Sequence, residues 1–332
     1  MNALYSLVLV LALTAVAVVG AGAAGWHFLF GVLIPYVAVA LFVIGVVYKV
    51  VDWARSPVPF RITTTCGQQE SLPWIKQNKL DNPSTNAGTI GRMLLEVLFF
   101  RSLFRNTKLQ LVQEKGPKLT YGSSKWLWLF ALIFHWSFLI IVLRHMRFFT
   151  EPVPGVFMGL ETLDGLLQIG APTLYLTDLL IVAGLTYLFL RRVVVPQIRY
   201  ISLPADYFPL FLLLGVVLSG IFMRYFAKTD IIGVKELTMG LATFTPVVPD
   251  TIGVIFYVHL FLVSILLVYF PLSKLMHMGG VFMSPTRNMP NNNRMQRHIN
   301  PWNYPVKVHT YAEYEDEFRD VMKEAGIPVE KE

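Results

Sequence analysis

The residues best suited to chemistry in this chain are its seven histidines, His27, His135, His145, His259, His277, His298 and His309. The single cysteine, Cys66, excludes a disulfide framework, a CxxCH haem attachment, a thiolate zinc site and an iron–sulfur cluster held by this chain alone. Redox or metal chemistry must therefore rest on imidazole. His135 and His145 are ten residues apart, about 15 Å of helix rise, and so stand at different depths on one helix. His259 and His277 are eighteen apart, about five full turns and about 27 Å, which returns both to one helix face. Two helices each offering two histidines can take a haem between them at each depth, one imidazole on either side of the iron. An iron with both axial positions filled carries electrons and does not bind oxygen.

The elements that must position these side chains are membrane helices. Of 332 residues, 55% are apolar and only 15% charged, which rules out a large soluble catalytic domain. Apolar runs near 3–23, 28–51, 126–148, 174–194, 207–227 and 252–275 are each long enough to cross a bilayer. The expected fold is all-α, an integral membrane bundle of six transmembrane helices. It divides into an N-terminal two-helix segment (1–51), a cytoplasmic loop with an amphipathic helix (52–125), a four-helix dihaem core (126–277) and a cytoplasmic tail (278–332). Of the 28 lysines and arginines, 23 fall on one side of these spans, and Arg144, Arg147, Arg224, Lys228 and Lys235 fall on the other. The asymmetry places both termini in the cytoplasm, in the cytoplasmic (inner) membrane. It also accounts for the formal charge of +7 better than nucleic-acid binding does. The first span has a second reading as a cleaved signal peptide, because the small residues GAGAAG at 20–25 follow an apolar core; it lacks a basic leading segment.

With that topology His135 and His277 pair in the cytoplasmic half, and His145 and His259 in the outer half. About 15 Å on one helix must match about 27 Å on the other, so a bend is required, and Pro271 is the residue able to supply it. His135 and His145 also differ by roughly 80° in direction around their helix. Zinc is disfavoured because no third ligand stands at either depth. Intramembrane histidines serve equally as hydrogen-bonded core residues or as members of a proton path, and those readings stay open for each one singly. His27, beside Trp26, reads first as an interfacial anchor; His298, His309 and Cys66 read as ordinary surface residues.

Oxidising a quinol needs an apolar slot beside a haem and a group that accepts a proton. On the outer side the candidates are Arg144, Arg147, Glu161, Asp164, Asp178, Arg224, Lys228 and Glu236. Arg144 and Arg147 are candidate contacts to haem propionates, whose carboxylates suit a guanidinium fork, or to quinone. Facing the cytoplasm, Ile90–Phe104 (IGRMLLEVLFFRSLF) mixes apolar residues with Arg92, Glu96 and Arg101 at helical spacing, and is expected to lie on the membrane surface or against a partner. The stretch YAEYEDEFRDVMKEAG in the tail reads as a short helix.

The histidine spacings of ten and eighteen on two antiparallel spans resemble the dihaem cytochrome b of respiratory nitrate reductase, its gamma subunit, over about the last five spans. The additional first span and the loop ITTTCGQQESLPWIKQNKLDNPSTNAGTIGRMLLEVLFFRSLFRNTK resemble one branch of that family, the DsrM subunits of the sulfite-reductase-associated DsrMKJOP membrane complex. The resemblance implies two bis-histidine b haems on His135, His145, His259 and His277, and menaquinone or menaquinol as the bound substrate. It also implies a cytoplasmic iron–sulfur partner similar to DsrK, itself like heterodisulfide reductase, with further subunits similar to DsrJ, DsrO and DsrP, in dissimilatory sulfur metabolism. On this reading the chain is the electron-transfer subunit of an oxidoreductase and has no catalytic residue of its own. The competing classes are a haem-free membrane anchor and a transporter using a histidine relay. The second is weakened by the lack of repeated halves.

Overall fold

The computed structural model describes residues 2–56, 76–113, 116–168, 172–292 and 308–331. Cys66 and His298 lie outside them. Five helical stretches are long and apolar enough to cross a membrane: Asn2–Ala23, Leu29–Ala54, Lys125–Phe148, Pro204–Ala227 and Val254–Leu272. The first comprises α1 (Asn2–Ala17) and a π-helical turn, Val18–Ala23; the second, a π-helical turn, Leu29–Leu33, followed by α2 (Ile34–Ala54). After α2 come α3 (Asn86–Phe99), α4 (Arg101–Phe104) and an antiparallel hairpin of β1 (Thr107–Val112) and β2 (Lys118–Ser123). Next are α5 (Lys125–His145), α6 (Gly155–Asp164), the two short strands β3 (Gly165–Leu167) and β4 (Leu174–Tyr175), and α7 (Leu176–Val194). The chain then runs through α8 (Pro196–Ile201), α9 (Pro204–Phe222), α10 (Ile231–Ala242) and α11 (Val254–Tyr269). It ends with α12 (His277–Met283), α13 (Pro285–Asn288) and α14 (Tyr311–Glu324).

The fold is predominantly helical, as expected, and the protein is an integral membrane protein. The sixth expected span, 174–194, is the helix α7, which holds three charges in its 19 residues, Asp178 in the first turn and Arg191 and Arg192 in the last. Both ends suit the helix dipole, the anion at the N-terminus and the cations at the C-terminus. The two hairpins are minor, and the one in the long loop was not expected from the sequence.

Around the bundle, α5 packs on α7, α7 on α9 and α9 on α11, while α1 and α2 close on α9 and α11. The core runs through Ile181, Leu185, Leu212, Leu213, Phe256, Tyr257, Phe261 and Leu262. α11 sits centrally, and its nearly uniform apolarity fits burial on several sides. On α1 and α2, by contrast, Leu4, Val8, Leu11, Val37, Val43, Ile44 and Val47 point outward, the surface a bilayer would cover. α1 is fastened to the start of α9: Asn2 Nδ2 donates to the Ser202 carbonyl at 2.9 Å and Ser6 Oγ to the Pro204 carbonyl at 2.9 Å.

The loop helix differs from the expected single helix over 90–104. α3 begins earlier, at Asn86, because Thr85 Oγ1 accepts the Gly88 N–H at 3.2 Å as an N-cap. It ends at Phe100, whose left-handed backbone (φ 51°, ψ 47°) turns the chain before α4. Two indoles of α5 accept this helix end: Trp128 Nε1 donates to the Phe99 carbonyl at 2.7 Å and Trp136 Nε1 to the Leu98 carbonyl at 3.0 Å. Terminal carbonyls that the helix cannot satisfy internally are thereby paired, and α3 is docked on α5. The tail is tied to the same place. Asn291 N donates to the Pro83 carbonyl at 2.6 Å, Asn291 Nδ2 to Asn82 Oδ1 at 2.8 Å, and Arg287 lies 3.5 Å from Glu96. The expected tail helix is α14, with Thr310 and Glu313 forming a reciprocal capping box.

Candidate functional site

The structure brings His135, His145, His259 and His277 together in the two expected pairs. The ring centroids of His135 and His277 lie 6.0 Å apart with the planes at 84°, and those of His145 and His259 lie 6.5 Å apart at 16°. With a metal–nitrogen bond of about 2.0–2.1 Å and roughly 1.1 Å from ring nitrogen to ring centre, two imidazoles on opposite sides of one metal have centroids about 6 Å apart. Both pairs meet that spacing. α5 and α11, the helices bearing three of the four, hardly pack on one another. A flat macrocycle between them would need that separation. Among the described residues no cluster of three or more His, Cys, Asp or Glu side chains forms a metal site, so the donor set suits a group that brings its own equatorial ligands.

The length mismatch between the two ligand helices is resolved at Pro271. α11 runs regularly for ten residues past His259, to Tyr269, the same interval that separates His135 from His145. Two single 3₁₀ turns, Phe270–Leu272 and Lys274–Met276, then fold the chain around an extended Ser273 (φ −125°, ψ 176°), so that His277 arrives beside His135. Lys274, in the second turn, reaches the carboxylate of Asp206 on α9 at 2.7 Å, which fastens this bend to the bundle.

Hydrogen bonds to carbonyls fix the tautomer of three of the four rings. The Nδ1 of His135 contacts the Ala131 carbonyl at 2.7 Å, that of His145 the Ile141 carbonyl at 2.7 Å, and that of His277 the Lys274 carbonyl at 2.8 Å. A carbonyl only accepts, so Nδ1 carries the proton and Nε2 presents the lone pair. The Nδ1 of His259 instead meets the hydroxyl of Ser219 at 2.9 Å. At the other end of the site Phe100 stacks edge-on against His135, at 4.9 Å and 87°, so the turn that ends the loop helix touches this pair directly.

Beside His145 lies a polar cluster. Arg144 is buried, with its guanidinium 3.1 Å from Asp164 and 3.4 Å from Asp178. Asp164 also accepts the Thr177 N–H at 2.9 Å and its hydroxyl at 2.6 Å, and Tyr225 donates to Asp178 at 2.8 Å. The guanidinium carbons of Arg144 and Arg224 stand 3.7 and 3.9 Å from the centre of the Tyr175 ring, which is sandwiched between them. Arg147 binds Glu161 at 2.5 Å, and the Tyr175 hydroxyl donates to the same carboxylate. Burial pushes the Glu161 carboxyl upward, but the bonds from Arg147 and then Tyr175 outweigh it and hold the group below its ordinary range. Arg144 and Arg147 are thus both held by carboxylates of the protein, while Arg144 Nε is buried without a hydrogen-bond partner and remains a donor for an anion. Lys228 and Glu236 are exposed and stand apart from this cluster.

His27 is more than an interfacial residue. It is half-buried and stacked on Tyr257, at 4.9 Å and 6°, two residues before His259. His309 is exposed. Ser219, Trp128 and Trp136 do not stand out in the sequence as site residues. Serine is ordinary in membrane helices, and only the tryptophans, at an eight-residue spacing on one helix, carry a signal that places a docked segment there.

The family model described as nitrate reductase gamma subunit matches residues 95–295, a stretch that includes all four histidines. A protein of Archaeoglobus fulgidus described as Hdr-like menaquinol oxidoreductase cytochrome b-like subunit is 50% identical over 281 residues, covering 82% of this chain and 83% of the relative. Its counterpart with the same description from Archaeoglobus profundus is 44% identical over 276 residues, covering 81% of each.

Proposed function

The chain belongs to the nitrate reductase gamma subunit family, and from that premise we propose that it is a dihaem b electron-transfer subunit that joins the menaquinone pool to a cytoplasmic iron–sulfur partner. The coarser statement, a cytochrome b-like membrane subunit of the menaquinol oxidoreductase type, stands on the extent of the match to the Archaeoglobus proteins. The observation that carries the finer one is the double pairing of histidines at 6.0 and 6.5 Å across helices that are otherwise held apart.

In this reading His135 and His277 bind one haem and His145 and His259 the other. Two b haems stacked in this way supply one-electron carriers at two depths of the membrane. The protein's own residues do the rest. The Nδ1 hydrogen bonds hold each imidazole in the ligating tautomer, and the bend at Pro271 delivers His277 to the depth of His135. Arg144 and Arg147, anchored by Asp164, Asp178 and Glu161, place positive charge beside the His145 pair, where haem propionates or a quinone oxygen would meet it. Oxidation of a menaquinol there would release two protons and two electrons, one electron for each haem.

The topology we propose puts the His135 pair, α3 and the tail on the cytoplasmic side, with both termini there and the His145 pair outside; the distribution of lysine and arginine supports it. On that side the partner is an iron–sulfur subunit like heterodisulfide reductase, which the description of the relatives favours. Placement in the DsrM branch, with partners like DsrK, DsrJ, DsrO and DsrP in dissimilatory sulfur metabolism, is the more specific form of the same proposal. It rests on the loop and on the additional first span.

The test is a dithionite-reduced minus oxidised spectrum of the purified protein, with a pyridine haemochrome count. Two b haems per chain, reducible by a menaquinol analogue, are expected. A folded preparation without haem would overturn the proposal and return the histidines to a relay or the chain to an anchor.

A further inference from the structure

Three of the four histidines are oriented from within their own chain segment, by a carbonyl three or four residues earlier. His259 is the exception. Its Nδ1 is met by Ser219, forty residues away on α9, and the Ser219 hydroxyl lies at the same time 2.9 Å from the Val216 carbonyl one turn earlier. A hydroxyl has one hydrogen. With that hydrogen given to Val216, the oxygen can only accept from His259, so Nδ1 is the protonated nitrogen and Nε2 the free one. A hydroxyl that is itself donating is also a better acceptor, because the two bonds polarise each other. The next residue, Gly220, lies against the same ring: a Cβ there would stand 3.4 Å from His259 Cε1, an ordinary van der Waals contact.

We infer that Ser219 is a positioning residue for the His145–His259 haem, setting both the basicity of His259 and the plane of its ring. The inference rests on the dihaem reading above. An Nδ1–H donated to an acceptor raises the basicity of the ligating nitrogen and favours the ferric iron. The same bond restrains rotation of the ring about its Cβ–Cγ bond. At this site the two imidazole planes are nearly parallel, at 16°, whereas at the other they are crossed, at 84°. Parallel planes split the iron dπ orbitals and give a rhombic low-spin ferric signal. Crossed planes leave those orbitals nearly degenerate and give a strongly anisotropic one. The wild-type protein should therefore show two distinguishable low-spin signals, and only one of them depends on Ser219.

The experiment uses the full-length protein with its haems, as Ser219→Ala, Ser219→Cys and Ser219→Thr. The readouts are haem count, electron paramagnetic resonance of the ferric state and a redox titration. Ser219→Ala should keep the crossed-plane signal and its midpoint unchanged, shift the parallel-plane signal, and raise the midpoint of that haem. It should also speed transfer of one haem of the two to a competing apo-haem protein by about tenfold, in line with the usual effect of losing an outer-shell partner of a metal ligand. Ser219→Thr, which keeps the hydroxyl, should restore wild-type signals. Ser219→Cys keeps the volume with a weak acceptor and should move in the direction of alanine, which decides the matter if the alanine variant fails to fold. Wild-type signals and midpoints in both Ser219→Ala and Ser219→Cys would overturn the role of Ser219 and leave the dihaem reading intact. A wild-type protein without haem would overturn the dihaem reading before any variant is compared.

Discussion

The ring of Pro271 fills the place where a side chain on Gly45 would stand, its Cγ lying 2.6 Å from the position of a Cβ there. The break in α11 that carries His277 to His135 therefore leans on α2, and α2 can receive it only because residue 45 has no side chain. Gly45→Leu should push the Pro271 turn outward, costing about 1–3 kcal/mol by overpacking. The expected outcome is loss of one haem of the two, with the His145–His259 site spared. A haem count with resonance spectra of the surviving signal checks it, and two unperturbed haems in this variant would contradict the linkage.

Each pair should fail independently. His145→Ala or His259→Ala should leave one b haem per chain, and so should His135→Ala or His277→Ala, with the complementary signal surviving in each case. Only the variants at the His145 pair should abolish reduction by a menaquinol analogue if quinol is oxidised beside that site. Unchanged haem content in His145→Ala would refute the pairing.

The cluster of Arg147, Glu161 and Tyr175 makes the His145 end sensitive to acid. The Glu161 carboxyl is held below its ordinary range, so its contribution is complete above the unfolded value, about 4.3, and is lost as the pH falls through the lower folded value. Thermal stability should therefore be insensitive to this group from pH 5 upward and decline below it. Glu161→Gln should lower stability at neutral pH and flatten the decline in acid. A melting series across pH on both proteins is the check, and parallel curves would rule the contribution out.

The loop helix should depend on two indoles. Replacing Trp128 and Trp136 together by Phe leaves the carbonyls of Phe99 and Leu98 without their donors, at a cost of about 1 kcal/mol each. Hydrogen exchange over residues 86–99 should accelerate in the double variant. If this surface carries the cytoplasmic partner, deletion of residues 85–118 should release that partner while the haem absorbance persists. A partner still bound after the deletion would place its surface elsewhere.

The sequence by itself determined the membrane class and the spans, and it marked the four histidines that the structure brings into two pairs. Long apolar runs have few solutions in lipid, and four intramembrane imidazoles at two spacings admit few uses. It also marked Pro271 as the bend, because a missing N–H and a fixed φ are properties of that one residue. What it could not determine was anything that depends on two helices meeting. The support of Pro271 by Gly45, the capping of α3 by Trp128 and Trp136, and the sandwich of Tyr175 between Arg144 and Arg224 join residues far apart in the chain. Local periodicity carries no information about such contacts. The helix expected over 90–104 is present but broken at Phe100 for the same reason: its pattern is continuous, while the break is set by indoles of another helix and by a left-handed turn. Ser219 is the clearest case. A serine in an apolar helix is one of many hydrogen-bonding residues that can satisfy their own preceding turn, and only the approach of α11 to α9 makes this one the partner of His259.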